Sequence, residues 1–137
     1  MQDTDLALLV DRFMRKIHSG LQDRAPSFDR EAVGPGGGVV LMTLADTGRI
    51  SLNELTKRVA RDKSQMTRMI RSLEAKGLIE REVSPDDGRI SLIFLTPKGS
   101  EVVGELMQTV AEVIGEILQP ISESERRTLQ SLLAQVV

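Results

Sequence analysis

The sequence predicts a mainly helical fold with a small β-hairpin wing: a winged helix-turn-helix flanked by N- and C-terminal dimerisation helices. Three observations support this class. Two short helix patterns, each with its own capping residues, follow one another between Ser51 and Lys76. A hairpin pattern with a strong turn comes directly after them, and amphipathic helix patterns occupy both ends of the chain. We therefore place the winged helix between about Arg49 and Thr96.

The N-terminal segment, from Asp5 to about Gln22, predicts an amphipathic helix because its apolar residues recur at helical spacing. Ala25-Pro26-Ser27 is expected to end this helix or to follow its end. The glycine-rich stretch Gly34–Gly38 lacks the lysine and hydroxyl of a phosphate-binding loop. We expect it to be a mobile helix start or a place where another backbone packs closely, before a short buried helix at Val39–Ala45.

The helix-turn-helix is predicted from its capping patterns. Ser51-Leu-Asn-Glu54 and Asp62-Lys-Ser-Gln65 each place a capping side chain three residues before a Glu or Gln, which is the pattern of a capping box. Gly77 suits the left-handed position that follows a helix. Two β-prone runs then flank Ser84-Pro85-Asp86-Asp87-Gly88, which predicts a hairpin.

The C-terminal third predicts two more helices. Thr96-Pro97 begins a long apolar helix that Pro120 ends, and Ser122-Glu-Ser-Glu125 is a third capping box before a last helix. The long helix is too apolar for a winged helix of this size to cover, so we expect a second copy of the chain to cover it. The alternative is that these helices fold back onto their own domain.

Composition limits the classes of function. The chain has no cysteine and one histidine, which excludes disulfides and thiolate chemistry and argues against a metal site. No paired-carboxylate or nucleophile–base pattern is present, so we predict neither an enzyme nor a cofactor. No apolar run is long enough to span a membrane and the N-terminus lacks a basic signal region, so we expect no membrane partner and a cytoplasmic location.

Charge is distributed unevenly along the chain. Between Arg49 and Lys98 there are 11 cations and 7 anions, a net charge of +4 within a chain whose net charge is −2. The remainder therefore carries −6. A basic middle between acidic ends is able to engage phosphate while the ends serve another purpose.

These features resemble the MarR family of transcription regulators in helix order over nearly the whole chain, and specifically over about 50 residues. The residues that carry the resemblance are Leu55-x4-Ala60, Asp62-Lys-Ser-Gln-Met-Thr-Arg-Met-Ile-Arg-Ser-Leu-Glu-Ala-Lys-Gly-Leu-Ile-Glu-Arg81, Pro85-Asp-Asp-Gly-Arg89 and Leu95-Thr-Pro-Lys-Gly99. The resemblance implies one domain over residues 1–137, with residues 34–96 as the DNA-binding lobe and residues 1–33 and 97–137 as dimerisation helices. It also implies a repressor that a small anionic or phenolic molecule releases from DNA.

The candidate DNA contacts lie on two elements. Helical geometry predicts that a core-facing Met66, Ile70 and Leu73 leave the opposite face of the second helix free for bases and phosphates. The resemblance further implies that Arg89 enters the minor groove and that Asp87 orients it, although Asp87 as a plain turn residue remains an alternative. The candidate set is Lys63, Ser64, Gln65, Thr67, Arg68, Arg71 and Arg89, with Asp87 as the orienting residue.

We therefore predict a homodimeric, sequence-specific regulator that binds a palindromic double-stranded operator with half-sites roughly 10 bp apart. The alternative is a winged helix that serves as a protein-interaction or dimerisation module without specific DNA binding.

Overall fold

A computed structural model of the chain describes residues 3–29 and 31–137, with the exception of the side chains at positions 27 and 28. Within these ranges the fold is mainly helical with a small antiparallel sheet, which confirms the predicted class. None of the described helices is long and apolar enough to span a membrane. In chain order the elements are α1 (Thr4–Phe28), α2 (Gly34–Thr47), β1 (Ile50–Ser51), α3 (Leu52–Val59), α4 (Lys63–Ala75), β2 (Ile79–Val83), β3 (Ser91–Leu95), α5 (Pro97–Ile117) and α6 (Glu123–Val136).

The chain divides into two compact units. The first, Pro26–Met107, contains α2 to α4, the sheet and the first half of α5. The second combines Met1–Ala25 with Gln108–Val137 and so contains most of α1, the rest of α5 and α6.

The core of the first unit is aliphatic. It is built around α2, α3 and α4, and it extends to the strands and to the start of α5. The fully enclosed side chains alternate with exposed polar ones at helical spacing, so each helix buries one stripe. The buried members are Val40, Leu41, Leu44, Leu55, Val59, Met66, Ile70, Leu73, Leu78, Ile79, Ile93 and Val103.

The three predicted helix caps form. In the first two, the capping side chain accepts its hydrogen bond but the side chain three residues later does not bond back to the cap. Ser51 Oγ accepts a hydrogen bond from the Glu54 N–H at 3.1 Å, and Asp62 Oδ1 accepts one from the Gln65 N–H at 2.8 Å. Glu54 pairs with Arg58 one turn on, at 3.4 Å, which explains why its carboxylate does not bond back to the cap. In α6 the capping box closes both ways, since Glu125 Oε1 accepts from the Ser122 N–H. That hydrogen bond lowers the pKa of Glu125.

The end of α4 has the geometry that Gly77 predicts. Gly77 takes a φ of +74°, its N–H bonds to the Glu74 carbonyl, and the Leu78 N–H bonds to the Leu73 carbonyl. This pair of bonds is a Schellman motif, and it satisfies carbonyls that the end of the helix would otherwise leave free. The chain therefore turns sharply from α4 into β2.

The sheet has the order β1-β3-β2 and is antiparallel throughout. Ile93 of β3 pairs with Ile50 on one side and with Arg81 on the other. The hairpin β2–β3 is the predicted wing. The two-residue strand β1 is not predicted, because a run this short has no detectable alternation and forms only when β3 is present beside it.

Two expectations for the N-terminal third are wrong. Helix α1 does not end near Gln22 but continues through Pro26 to Phe28. Proline removes one backbone N–H, and here that loss falls within a turn of the helix end, where little further helix depends on it. Helix α2 does not begin at Val39 but includes the whole run Gly34–Gly38, with Pro35 in its first turn, where proline is favoured.

In the second unit, α1 packs closely on α5. A Cβ at Gly20 would lie 2.7 Å from Val113 Cγ1, so only glycine permits this approach. Arg24 donates to Glu116 Oε1 at 2.6 Å, and this hydrogen bond raises the pKa of the Arg24 guanidinium. Arg126 of α6 donates to the Gly115 carbonyl of α5 at 3.2 Å.

Candidate nucleic-acid interface

Helix α4 presents a polar face to solvent. Its inner face carries Met66, Ile70 and Leu73, each no more than 2% exposed. The outward face therefore contains the residues that lie half a turn away from that stripe. Of the predicted contacts on this helix, Lys63, Ser64, Gln65, Arg68 and Arg71 are exposed.

Thr67 differs from the other candidates. It is half-buried, and its hydroxyl donates to the Lys63 carbonyl at 2.9 Å. The hydroxyl oxygen is still able to accept a hydrogen bond, but its proton is already used. Thr67 therefore lies at the edge of the outward face, as the helical geometry predicts.

The turn of the wing is built on hydrogen bonds to Ser84, Asp87 and Ile90. The Ser84 N–H donates to the Ile90 carbonyl at 2.8 Å, and the Ile90 N–H donates to the Asp87 carbonyl at 3.0 Å. The Ser84 hydroxyl accepts longer bonds from the N–H groups of Asp86 and Asp87. The turn thus has a defined backbone conformation that its own residues hold.

Asp87 and Arg89 meet at this turn. Asp87 Oδ1 accepts from the backbone N–H of Arg89 at 3.0 Å and from its Nε at 3.2 Å. These two bonds hold the pKa of Asp87 below its ordinary value, the backbone bond having the larger effect. The Arg89 side chain is 91% exposed. The structure thus brings the two predicted wing residues together.

Two ion pairs connect the wing to its surroundings. Arg81 of β2 donates from Nε and Nη2 to one oxygen of Glu74 in α4, at 2.9 and 2.6 Å. This hydrogen bonding raises the pKa of Arg81. Arg49, just before β1, pairs with Glu82 of β2 and lies over the Phe94 ring, 4.1 Å from its centroid. Charged contacts therefore join the wing to α4 and to the residue that precedes β1.

Cations without a carboxylate partner cluster on the helix-turn-helix. Most cations between residues 49 and 98 pair with an acidic side chain or donate to a carbonyl. Within the described residues, the cations of this segment that have neither kind of partner all fall between the end of α3 and the middle of α4. They are Lys57, Arg61, Lys63, Arg68 and Arg71.

Lys57 and Arg61 are absent from the residues predicted from the sequence. Lys57 lines a cleft of about 270 Å³ between α3 and α4, together with Asn53, Lys63 and Thr67. Arg61 lies in the turn between the two helices and is exposed. The available signal was their charge and their position next to the second cap, but only the fold shows which neighbouring cations are already paired.

The described residues contain no group of three or more His, Asp or Glu side chains arranged to hold a metal ion.

Sequence comparison finds a family match over the helix-turn-helix and most of the wing. Residues 37–91 match the MarR family. The HTH-type transcriptional regulator YdgJ of Bacillus subtilis is 34% identical over 97 residues, which cover 71% of this chain and 59% of YdgJ. The chain thus spans less than two thirds of the length of YdgJ and of similar curated relatives.

Solved structures share the fold over nearly the full chain. A cysteine-to-serine mutant of MarR from E. coli, complexed with operator DNA, is 27% identical with a TM-score of 0.76, over 98% of this chain and 94% of that one. BpsR of Bordetella bronchiseptica, whose DNA binding is regulated by 6-hydroxynicotinic acid, is 26% identical with a TM-score of 0.74, over 96% and 98%. Residues 37–91 therefore belong to the MarR family, and the solved MarR structure shares its fold with nearly the whole chain.

Proposed function

We propose that the chain is a transcription regulator that binds double-stranded DNA sequence-specifically through α4 and the wing. The observation that carries this proposal is the cluster of five cations on α3, the turn and α4 that have no partner among the described residues. Ion pairs neutralise the cations around it, so this surface has the positive field that attracts a phosphate backbone. The operator complex of the related MarR structure supports the same use of the fold.

In this proposal α4 enters the major groove. Arg68 and Arg71 are long enough to reach base edges, where arginine pairs bidentately with guanine. Gln65 is suited to adenine, and Ser64 and Thr67 to bases or phosphates. The exposure of Ser64, Gln65, Arg68 and Arg71 supports their assignment as base-reading residues.

The phosphate contacts fall to the flanks of α4. Lys63, at the N-terminus of α4, lies where the helix dipole also favours an anion. Lys57 and Arg61 extend this strip onto α3 and the turn, and the first helix of a helix-turn-helix commonly crosses the backbone. These contacts position the protein on DNA without reading sequence.

The wing is proposed to place Arg89 in the adjacent minor groove, where the potential is most negative when the groove is narrow. Asp87 holds Arg89 in place, because its Oδ1 accepts hydrogen bonds from the backbone N–H and the Nε of Arg89. In this assignment Asp87 touches the arginine and not the DNA.

Residues 1–33 and 97–137, which include the whole second unit, are proposed to bind another copy of the chain as dimerisation helices, with residues 34–96 as the DNA-binding lobe. Both α1 and α6 expose apolar stripes at helical spacing, which a lone chain leaves in water. A two-fold pair would bury them and would present two recognition helices to a palindromic site. The exposed members are Leu6, Leu9, Val10, Met14, Leu132, Leu133 and Val136.

For regulation, we propose a cytoplasmic repressor that a small organic anion or phenol releases from DNA. The regulation of BpsR by 6-hydroxynicotinic acid supports an effector of this kind.

A gel-shift titration with the DNA upstream of the protein's own gene tests the proposal. At low salt, we expect a complex that resists excess non-specific competitor and that weakens steeply as salt rises. Failure to form any competitor-resistant complex would contradict specific binding and would favour a protein-interaction role for this winged helix.

A further inference from the structure

The start of α2 is held by a side chain from the preceding loop. Asp29 accepts from the Val33 N–H through Oδ1 at 2.8 Å and from the Gly34 N–H through Oδ2 at 3.0 Å. These bonds satisfy backbone donors that the beginning of a helix leaves free. The first turn of α2, from Val33 onward, is therefore held in place by Asp29.

Two glycines of this helix, Gly36 and Gly37, lie against side chains on the inner face of α4. A Cβ on Gly36 would lie 2.8 Å from Met69 Sδ, and one on Gly37 would lie 3.5 Å from Leu73 Cδ2. Leu73 is fully buried and Met69 is half-buried. The contacts are with side chains, which corrects the expectation that another backbone packs there. At Gly36, the missing methyl group leaves the space that Met69 Sδ of α4 occupies.

The same segment is also tied to the C-terminal end of α4. Lys76 Nζ donates to the Ala32 carbonyl at 2.8 Å. Lys98 of α5 donates to the Lys76 carbonyl at 3.1 Å and pairs with Glu31 at 3.2 Å. Helix α4 therefore contacts Gly36 and Gly37 through its inner face, and its C-cap residue Lys76 bonds to Ala32.

We propose that Gly36 is a positioning residue for DNA recognition: its lack of a side chain sets how far α4 stands out from the lobe. This inference rests on the proposed function. A methyl group at Gly36 must displace the Met69 side chain, and it moves α4 as well where the packing around Met69 leaves that side chain no other space. The displacement would change the position of the outward residues of α4 without changing their identity.

The test compares Gly36→Ala with Gly104→Ala. Gly104 lies in α5, and a Cβ there meets nothing within 4 Å. Both substitutions replace glycine by alanine within a helix at a position without positive φ, Gly36 in the first turn of α2 and Gly104 inside α5. The probe is the duplex that the wild-type chain selects from a random 30-base-pair library, with affinity read by fluorescence anisotropy.

We expect Gly36→Ala to weaken binding about tenfold, the usual scale for coupled neighbours, and Gly104→Ala to leave it unchanged. The double variant Gly36→Ala/Met69→Ala is expected to recover most of the loss, because the shortened side chain makes room for the new methyl group. Unchanged affinity in Gly36→Ala, or losses that simply add in the double variant, would overturn the inference.

Amide chemical shifts provide a readout that does not depend on DNA. In Gly36→Ala the resonances of residues 66–76 should move, and in the double variant they should return toward the wild-type positions. If the wild-type chain selects no duplex, the proposed function fails, and these shifts alone still decide whether Gly36 sets the position of α4. Shifts confined to α2 would contradict that role.

Discussion

One carboxylate oxygen of Asp87 accepts two hydrogen bonds from Arg89, from the backbone N–H at 3.0 Å and from Nε at 3.2 Å. The Nη groups of Arg89 make no hydrogen bond to any described residue, and the side chain is 91% exposed. Asp87 therefore restricts the arginine while its outer donors stay free for a ligand. An arginine held in this way loses less side-chain entropy when it binds.

This geometry predicts different losses for the two residues. Arg89→Ala removes the groove contact and should weaken DNA binding by about 1–3 kcal/mol. Asp87→Ala removes the hydrogen bonds to the Arg89 backbone and Nε but leaves the arginine in place, so the loss should be that of side-chain restriction, about 0.5–1.5 kcal/mol. The neighbouring Asp86→Ala controls for charge, since it removes the same negative charge without touching Arg89, and should not weaken binding. Anisotropy titrations measure all three, and equal effects of the two aspartate variants would refute the orienting role.

Lys57 is predicted to contact a phosphate. Lys57→Gln should weaken binding to all sequences alike and reduce the slope of log K against log salt by about 1. Arg58→Gln is the matched control, because it removes one cation from the next position of α3, where Glu54 already pairs with it. Titrations at four or more salt concentrations give the slopes. An unchanged slope in Lys57→Gln would remove α3 from the interface.

Gly99 is predicted to be essential to the fold. A Cβ at this position would overlap the backbone carbonyl of Leu78, where α5 crosses the start of the wing. Backbone cannot rotate away as a side chain does, so Gly99→Ala should lower the free energy of unfolding by about 3 kcal/mol, the upper end of overpacking costs. Urea unfolding measures the loss, with Gly104→Ala on the same helix expected to be neutral or slightly stabilising.

The apolar stripe of α6 is predicted to hold the dimer together. Leu132 is 55% exposed in the single chain, and Leu132→Glu places a charge among apolar side chains that a partner would cover. Sedimentation should show wild-type protein at about twice the chain mass of 15.1 kDa and the variant at the chain mass. Gln130→Glu, on the opposite face of the same helix, should remain dimeric. A wild-type monomer at micromolar concentration would contradict the two-fold arrangement.

Much of the helix-turn-helix was predictable from the sequence because its signals are local. Ser51 and Asp62 cap their helices by bonds to residues three positions away, and Gly77 marks the end of α4 by its own φ. The inward stripe of α4 follows from its 3.6-residue period. For the same reason the exposure of Arg68 and Arg71 was predictable, although their contacts with DNA remain a proposal.

The features that were missed depend on distant parts of the chain. Strand β1 exists only through its pairing with β3. Helix α2 begins at the glycine run because Asp29 bonds to its first turn and α4 packs on it. The importance of Lys57 could not be read from its charge, since the adjacent Arg58 has the same charge and is neutralised by Glu54. Each of these depends on which residues meet in space.

Selection of binding sites from fragmented genomic DNA tests specific recognition most directly. Purified wild-type protein and the double variant Arg68→Ala/Arg71→Ala would each be incubated with the same fragments at fixed salt, and the bound DNA sequenced. We predict that the wild-type protein enriches an inverted repeat with half-sites roughly 10 bp apart, and that the variant loses this preference while it keeps weak non-specific binding. No enriched sequence for the wild-type protein, or the same repeat for both proteins, would contradict recognition by α4.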